Sequence, residues 1–94
     1  MNKIQSTAKS LNITGKNIKQ IRKEKKITQE DLCARMQIMG FKISRSDISK
    51  LETGKRFIND VEVVGFSKAL KVSILDLYKE QKRTLIALAL IKTF

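Results

Sequence analysis

The sequence predicts an all-α fold made of five short helices. Proline is absent, and no stretch alternates apolar and polar residues for long enough to indicate a strand. A small polar residue followed three positions later by an acid, the pattern of a helix capping box, occurs four times in succession. The four pairs are Thr28/Asp31, Ser44/Asp47, Asn59/Glu62 and Ser73/Asp76. Apolar residues at helical spacing follow each pair, so we expect a helix to begin at each one.

The four capped helices are expected near residues 29–39, 45–53, 60–70 and 74–80, with an earlier helix near 15–25 that starts after Thr14. Gly54 follows the third of these five helices at the place where a left-handed C-terminal cap would lie, and Gly40 lies in the link before that helix. The apolar residues of the helices are expected to form one core. They are Ile18, Ile21, Leu32, Cys33, Met36, Ile48, Leu51, Val63, Phe66, Leu70, Leu75, Leu77 and Tyr78.

The chain divides into three parts. Residues 1–13 contain few apolar positions and are expected to form a flexible N-terminal arm. Residues 14–80 are expected to form the helical domain, and residues 81–94 an additional apolar helix. Leu85 to Ile91 is apolar on every side and must be covered. It either packs back on the domain or pairs with the same segment of a second chain.

The charge of the chain predicts an anionic partner. Twenty Lys and Arg against nine Asp and Glu give a formal net charge of +11. Residues 1–26 alone contain eight basic residues and one acid. Lys16, Lys19, Lys23 and Lys26 recur there at helical spacing, and they indicate either general attraction to an anion or a solvated lysine-rich surface.

Several classes of function are disfavoured by composition. Cys33 is the single cysteine and histidine is absent, so the sequence offers no internal disulfide, zinc site, Cys-His pair or Ser-His-Asp triad. It also has no phosphate-binding loop. We therefore expect no enzymatic activity, no metal and no cofactor. The longest apolar run is far shorter than a membrane helix, and no signal peptide is recognisable, so we expect a cytoplasmic protein without a membrane partner.

Three stretches carry a resemblance to a known family. "GKNIKQIRKEKKITQEDLCARM", "ISRSDISKLETGKR" and "NDVEVVGFSKALKVSILDLY" resemble the phage repressor and Cro (Xre-type) family of helix-turn-helix transcriptional regulators. The most specific pieces are the Thr28-Gln29 helix start, residues 48–55 and residues 69–73. The resemblance implies a compact five-helix, lambda-repressor-like DNA-binding domain. The link between Leu32 and Ile48 is several residues longer than the usual family spacing, which indicates a variant with an extended turn.

The same resemblance implies a set of DNA-contacting residues. Ser44 would cap the recognition helix, with base contacts from Arg45, Ser46, Ser49 and Lys50. Phosphate contacts would come from Arg22, Gln29, Ser44, Lys55 and Arg56, and Arg22 would form a salt bridge with Glu52.

Some of these residues have a second interpretation. Arg45 could be an ordinary exposed arginine, Lys50 could contact a base or a phosphate, and Lys55 and Arg56 could belong to a plain solvated loop. Asp47 is best explained as a helix-start acid, with acceptance of a hydrogen bond from cytosine N4 as the alternative.

The function implied by the resemblance is that of a sequence-specific transcriptional regulator of double-stranded DNA, most simply a repressor. It would bind as a homodimer to a partly palindromic operator. The alternative is a protein-interaction module of the same fold, resembling an antitoxin, that uses residues 85–91 to bind a protein partner.

Overall fold

A computed structural model describes residues 10–79, which form five α-helices and no strand. They are α1 (Gly15–Glu24), α2 (Gln29–Ile38), α3 (Arg45–Glu52), α4 (Asp60–Leu70) and α5 (Ile74–Leu77). The predicted all-α fold is confirmed, and the predicted helix bounds agree within one residue for α1 to α4. The predicted C-terminal helix at 81–94, with its apolar run Leu85 to Ile91, and residues 1–9 of the predicted arm lie outside the described residues.

All four predicted capping boxes are present. At each site the polar side chain accepts a hydrogen bond from the backbone N–H of the acid, and the acid accepts one from the backbone N–H of the cap. At the start of α3, for example, Ser44 Oγ accepts from Asp47 N at 3.0 Å, and Asp47 Oδ2 accepts from Ser44 N at 2.9 Å. Two otherwise unpaired N–H groups are thereby satisfied at each helix start, which fixes where the helix begins.

One hydrophobic core lies between the helices. Its largest fully buried side chains are Ile18, Leu32, Met36, Ile48, Leu51, Phe66, Leu70 and Leu77. Ile27 and Ile43 are also buried, although they lie in the links before α2 and α3 and belong to no helical pattern. The links are therefore tied to the core through their own apolar side chains.

Two residues predicted for the core are exposed. Leu75 is 80% exposed and Tyr78 is 44% exposed, so both predictions were wrong. The helix near 74–80 is in fact the single turn Ile74–Leu77, with Tyr78 as its C-cap. One turn can direct only one of its faces at the core, and Leu77 occupies that position with no exposed surface.

The start of α1 is fastened to the end of α3 by Asn12. Its Nδ2 donates to the carbonyl oxygens of Leu51 at 2.9 Å and Arg56 at 2.8 Å, while its Oδ1 accepts from Gly15 N at 2.7 Å. Thr14, the residue expected before this helix, makes no side-chain capping bond. Asn12 therefore performs the capping at this end and joins it to the segment after α3.

Gly15 lies so close to α3 that it has no room for a side chain. A Cβ atom at this position would overlap the carbonyl oxygen of Leu51 and come within 2.6 Å of Asn12 Oδ1. Because the Leu51 carbonyl oxygen belongs to the backbone, it cannot move away as the end of a flexible side chain would. The close approach of α1 to α3 depends on this glycine.

Gly15→Ala is expected to lower the free energy of unfolding by about 1–3 kcal/mol, the usual cost of forcing an extra group into a packed site. Urea denaturation measures the change. Lys16→Ala is the control, because Lys16 is the exposed neighbour in the same helical turn and should change stability by less than about 0.5 kcal/mol. Equal stability of the two variants would contradict this account of the contact.

The extended link between α2 and α3 has a defined conformation. Gly40 adopts a left-handed φ of 96° after α2, and Phe41 N donates to Met36 O at 3.1 Å. The Phe41 ring covers Gly65 of α4 so closely that a Cβ atom there would lie 2.5 Å from it. Ile43 O accepts from Gln37 Nε2 at 2.9 Å. The additional residues are thus anchored at both ends, and α3 begins from a fixed position.

Candidate nucleic-acid interface

The helix α3 presents a polar face to solvent. Its buried residues are Ile48, Leu51 and Glu52, which attach it to the domain. The four residues predicted to contact bases are all exposed, and they are Arg45, Ser46, Ser49 and Lys50. The structure therefore brings these four side chains together on the outer side of one capped helix.

Asp47 lies in the first turn of this helix, where it is engaged by its own capping box. The hydrogen bond from the backbone N–H of Ser44 lowers the pKa of Asp47, and the nearby charges of Arg56 and Lys50 lower it further. The carboxylate is therefore held ionised at the positive end of the helix dipole. This geometry accounts for an acid on a surface that is otherwise basic.

Arg45 forms an ion pair with Glu30, which was not among the residues predicted to contact DNA. Its Nη1 donates to Glu30 Oε1 at 3.2 Å, and the side chains are 63% and 75% exposed. Glu30 is in the first turn of α2. The pair therefore connects the first turns of the two helices across the extended link.

A buried ion pair joins α1 to the end of α3. Arg22 Nε and Nη2 donate to the two carboxylate oxygens of Glu52 at 2.8 and 3.0 Å, and Arg22 Nη1 donates to Ile27 O at 2.9 Å. Arg22 is 8% exposed and Glu52 is 3% exposed. Nε, Nη1 and Nη2 of Arg22 thus each have a partner inside the domain, and the phosphate contact of Arg22 stays a prediction.

Gln29, the first residue of α2, is bound to the same carboxylate. Its Nε2 donates to Glu52 Oε1 at 3.1 Å. The amide side chain is half-buried, so the bond fixes it at the helix N-terminus, where the first backbone N–H groups have no partners within the helix. This is a position at which an anion is favoured.

Lys55 and Arg56, which follow α3, differ in their surroundings. Lys55 is exposed, whereas Arg56 is half-buried and donates to both oxygens of Glu62 at 3.1 and 3.0 Å. Arg56 Nε is also 3.8 Å from Asp47 Oδ1. Burial alone would raise the pKa of Glu62, but hydrogen bonds from Arg56 and from Asn59 N lower it overall. Arg56 therefore links the beginnings of α3 and α4, and Lys55 is the one of the two that faces solvent.

A comparison with models of protein families gave a match. A family model described as helix-turn-helix matches residues 18–77, which include all of α2 to α5. The chain belongs to the Cro/C1-type helix-turn-helix family. No curated protein and no solved structure gave a significant match.

Membership of the Cro/C1-type family makes the protein a DNA-binding regulator, a class that typically has no enzymatic activity. The matched residues include both α2 and α3. Among residues 10–79, no helix has the length and apolar character needed to cross a membrane.

Sequence reasoning missed Asn12 and Glu30, which contact α3 at this candidate interface. Glu30 binds Arg45, and Asn12 binds the carbonyl oxygens of Leu51 and Arg56, so these contacts join residues distant in sequence and no local spacing marks them. Glu62 was recognised as a capping acid, but its pairing with Arg56 was not expected. For that pair a signal existed, because Arg56 lies three residues before the cap Asn59, to which the Glu62 carboxylate reaches back.

Proposed function

We propose that the protein is a sequence-specific repressor that binds a partly palindromic operator as a homodimer. The helix α3 of each subunit enters the major groove, and the bound dimer represses transcription by occupying the operator. The exposed polar face of α3 is the observation that supports this proposal. The helix α3 is capped at Ser44, and its four exposed residues do not take part in packing the core.

The first turn of α3 supplies the base contacts. The major groove admits an α-helix, and in helix-turn-helix proteins the N-terminal residues of the second helix meet the base edges. Arg45 can present two parallel donors to guanine O6 and N7, and Lys50, about a turn later, reaches a base or a phosphate. Ser46 and Ser49 are small enough to let the helix approach closely.

Phosphates are contacted on both sides of α3. Gln29 lies at the start of α2, where backbone N–H groups favour an anion, and Lys55 extends into solvent after α3. The Ser44 hydroxyl accepts the capping bond and still has its own proton to donate. The guanidinium groups of Arg22 and Arg56 have partners within the domain. We assign these two arginines to holding α3 against α1 and α4, and not to phosphate contacts.

Two subunits are proposed because one short helix buries little surface. A dimer places its recognition helices on half-sites about 34–36 Å apart, one turn of DNA. Selection from a random DNA pool with the full chain tests contact, symmetry and spacing together. We expect a motif with two related half-sites at this spacing. Recovery of unrelated sequences would contradict sequence-specific binding.

Arg45→Ala is expected to cost about 1–3 kcal/mol of binding free energy on the selected site and to relax preference at one base pair in each half-site. Lys68→Ala is the control, because it removes the same charge from an exposed position in the last turn of α4. Binding titrations on the selected site and on single-base variants measure both effects. Equal weakening on every sequence would reassign Arg45 to a phosphate contact.

A further inference from the structure

The exposed side chain of Arg45 is paired with an acid of the neighbouring helix α2. Glu30 Oε1 accepts from Arg45 Nη1 at 3.2 Å, and within residues 10–79 this is the only ion pair that Arg45 makes. The two residues belong to different helices, and α2 is itself fixed by its capping box and by the bond from Gln29 to Glu52. Glu30 thus extends from a rigid element toward the side chain at the front of α3.

We propose that Glu30 is a positioning residue that holds Arg45 in its base-reading orientation and so sets the preference for one base pair. This inference rests on the proposed function, since it gives Glu30 a role only if Arg45 contacts a base. Glu30 itself touches no base. It acts by reducing the number of conformations that Arg45 has to abandon when the complex forms.

The geometry leaves Arg45 free to contact a guanine while it is paired. Arginine has several N–H donors in a planar fork, and the contact with Glu30 uses Nη1 alone. Nε and Nη2, on the other edge of the guanidinium plane, remain available. Two parallel donors are the requirement for binding guanine O6 and N7 together.

Electrostatics favour keeping the pair intact in the complex. Glu30 lies beside Gln29, the residue next to which a phosphate is expected, and an isolated carboxylate there would be repelled by DNA. The paired Arg45 offsets that charge, and the N-terminus of α2 favours it as well. Exclusion of water from the interface strengthens the attraction between the two groups. If Glu30 instead kept Arg45 away from DNA, removing the Glu30 carboxylate would increase the discrimination at the base pair that Arg45 contacts.

The test replaces the carboxylate with an amide of the same shape. Glu30→Gln is compared with Glu24→Gln, which makes the same charge change at an exposed residue at the end of α1. Binding is titrated on the selected operator and on the variants of the base pair that Arg45→Ala identifies. We expect Glu30→Gln to lose about two- to fivefold of the discrimination at that base pair, in line with the strength of an exposed ion pair. Glu24→Gln should lose none.

A double variant separates positioning from a general electrostatic effect. In the Arg45→Ala background, Glu30→Gln should cause no further loss of discrimination, because the residue that it positions is gone. Unchanged or increased discrimination in Glu30→Gln alone would overturn the positioning role. If the unaltered protein prefers no base at any position, the proposed function fails and this role falls with it. If the operator is selected but Glu30→Gln behaves as Glu24→Gln does, only the positioning role fails.

Discussion

Arg22→Ala is expected to lower the free energy of unfolding by about 3–5 kcal/mol, the usual cost of removing one partner of a buried ion pair. The reason is that Glu52, which is 3% exposed, would remain buried without its main counter-charge. The single hydrogen bond from Gln29 cannot replace two bonds from a guanidinium group. Small domains have only about 5–15 kcal/mol of stability, so the loss is readily measured by urea denaturation.

The control for this prediction removes both charges. The double variant Arg22→Met with Glu52→Leu should recover more than half of the loss, because apolar residues of similar size leave no unpaired buried charge. If Arg22→Ala were within about 1 kcal/mol of the unaltered protein, the buried pair would not be a principal connection between α1 and α3. DNA binding by the double variant would also show whether Arg22 has a second role, a contact with the DNA backbone.

Operator affinity is expected to fall about 10³- to 10⁵-fold between 50 and 200 mM salt, if the dimer neutralises about 6–10 phosphates. Each lysine or arginine that contacts a phosphate displaces condensed cations, and added salt opposes their release. The net charge of +11 is consistent with an effect of this size. Titrations at a series of salt concentrations give the slope directly.

Single variants assign this salt dependence to residues. Lys55→Ala should reduce the slope by about 1 for each subunit and should weaken binding similarly on all sequences. Lys68→Ala, which lies in the last turn of α4, should leave the slope unchanged. A shallow dependence in the unaltered protein would mean that few phosphates are neutralised, and the proposed docking of α2 and α3 would be wrong.

Local sequence patterns predicted most of the fold because helix starts are decided locally. A capping box needs only two residues three positions apart, and all four boxes formed where the sequence placed them. Gly54 has a left-handed φ of 77°, as its position after α3 predicted. The end of α5 was misplaced because the apolar spacing of Leu75 and Tyr78 suggested a longer helix than the single turn that forms.

The parts that were not predicted depend on contacts between distant segments. The conformation of the extended link follows from Phe41 lying over Gly65, and no local pattern encodes that contact. The same holds for Asn12, which joins the start of α1 to the carbonyl oxygens of Leu51 and Arg56. The family pattern pairs Arg22 with Glu52, and the two side chains are 2.8 Å apart. It does not indicate how enclosed Arg22 is, and the residue is 8% exposed.

Protection of guanine N7 from methylation tests the central claim, that α3 enters the major groove, most directly, because N7 is exposed only in that groove. With the selected operator, bound protein should protect guanines in two half-sites about one helical turn apart, and Arg45→Ala should lose protection at one guanine in each. Undiminished methylation of every guanine at saturating protein would contradict insertion of α3 into the major groove.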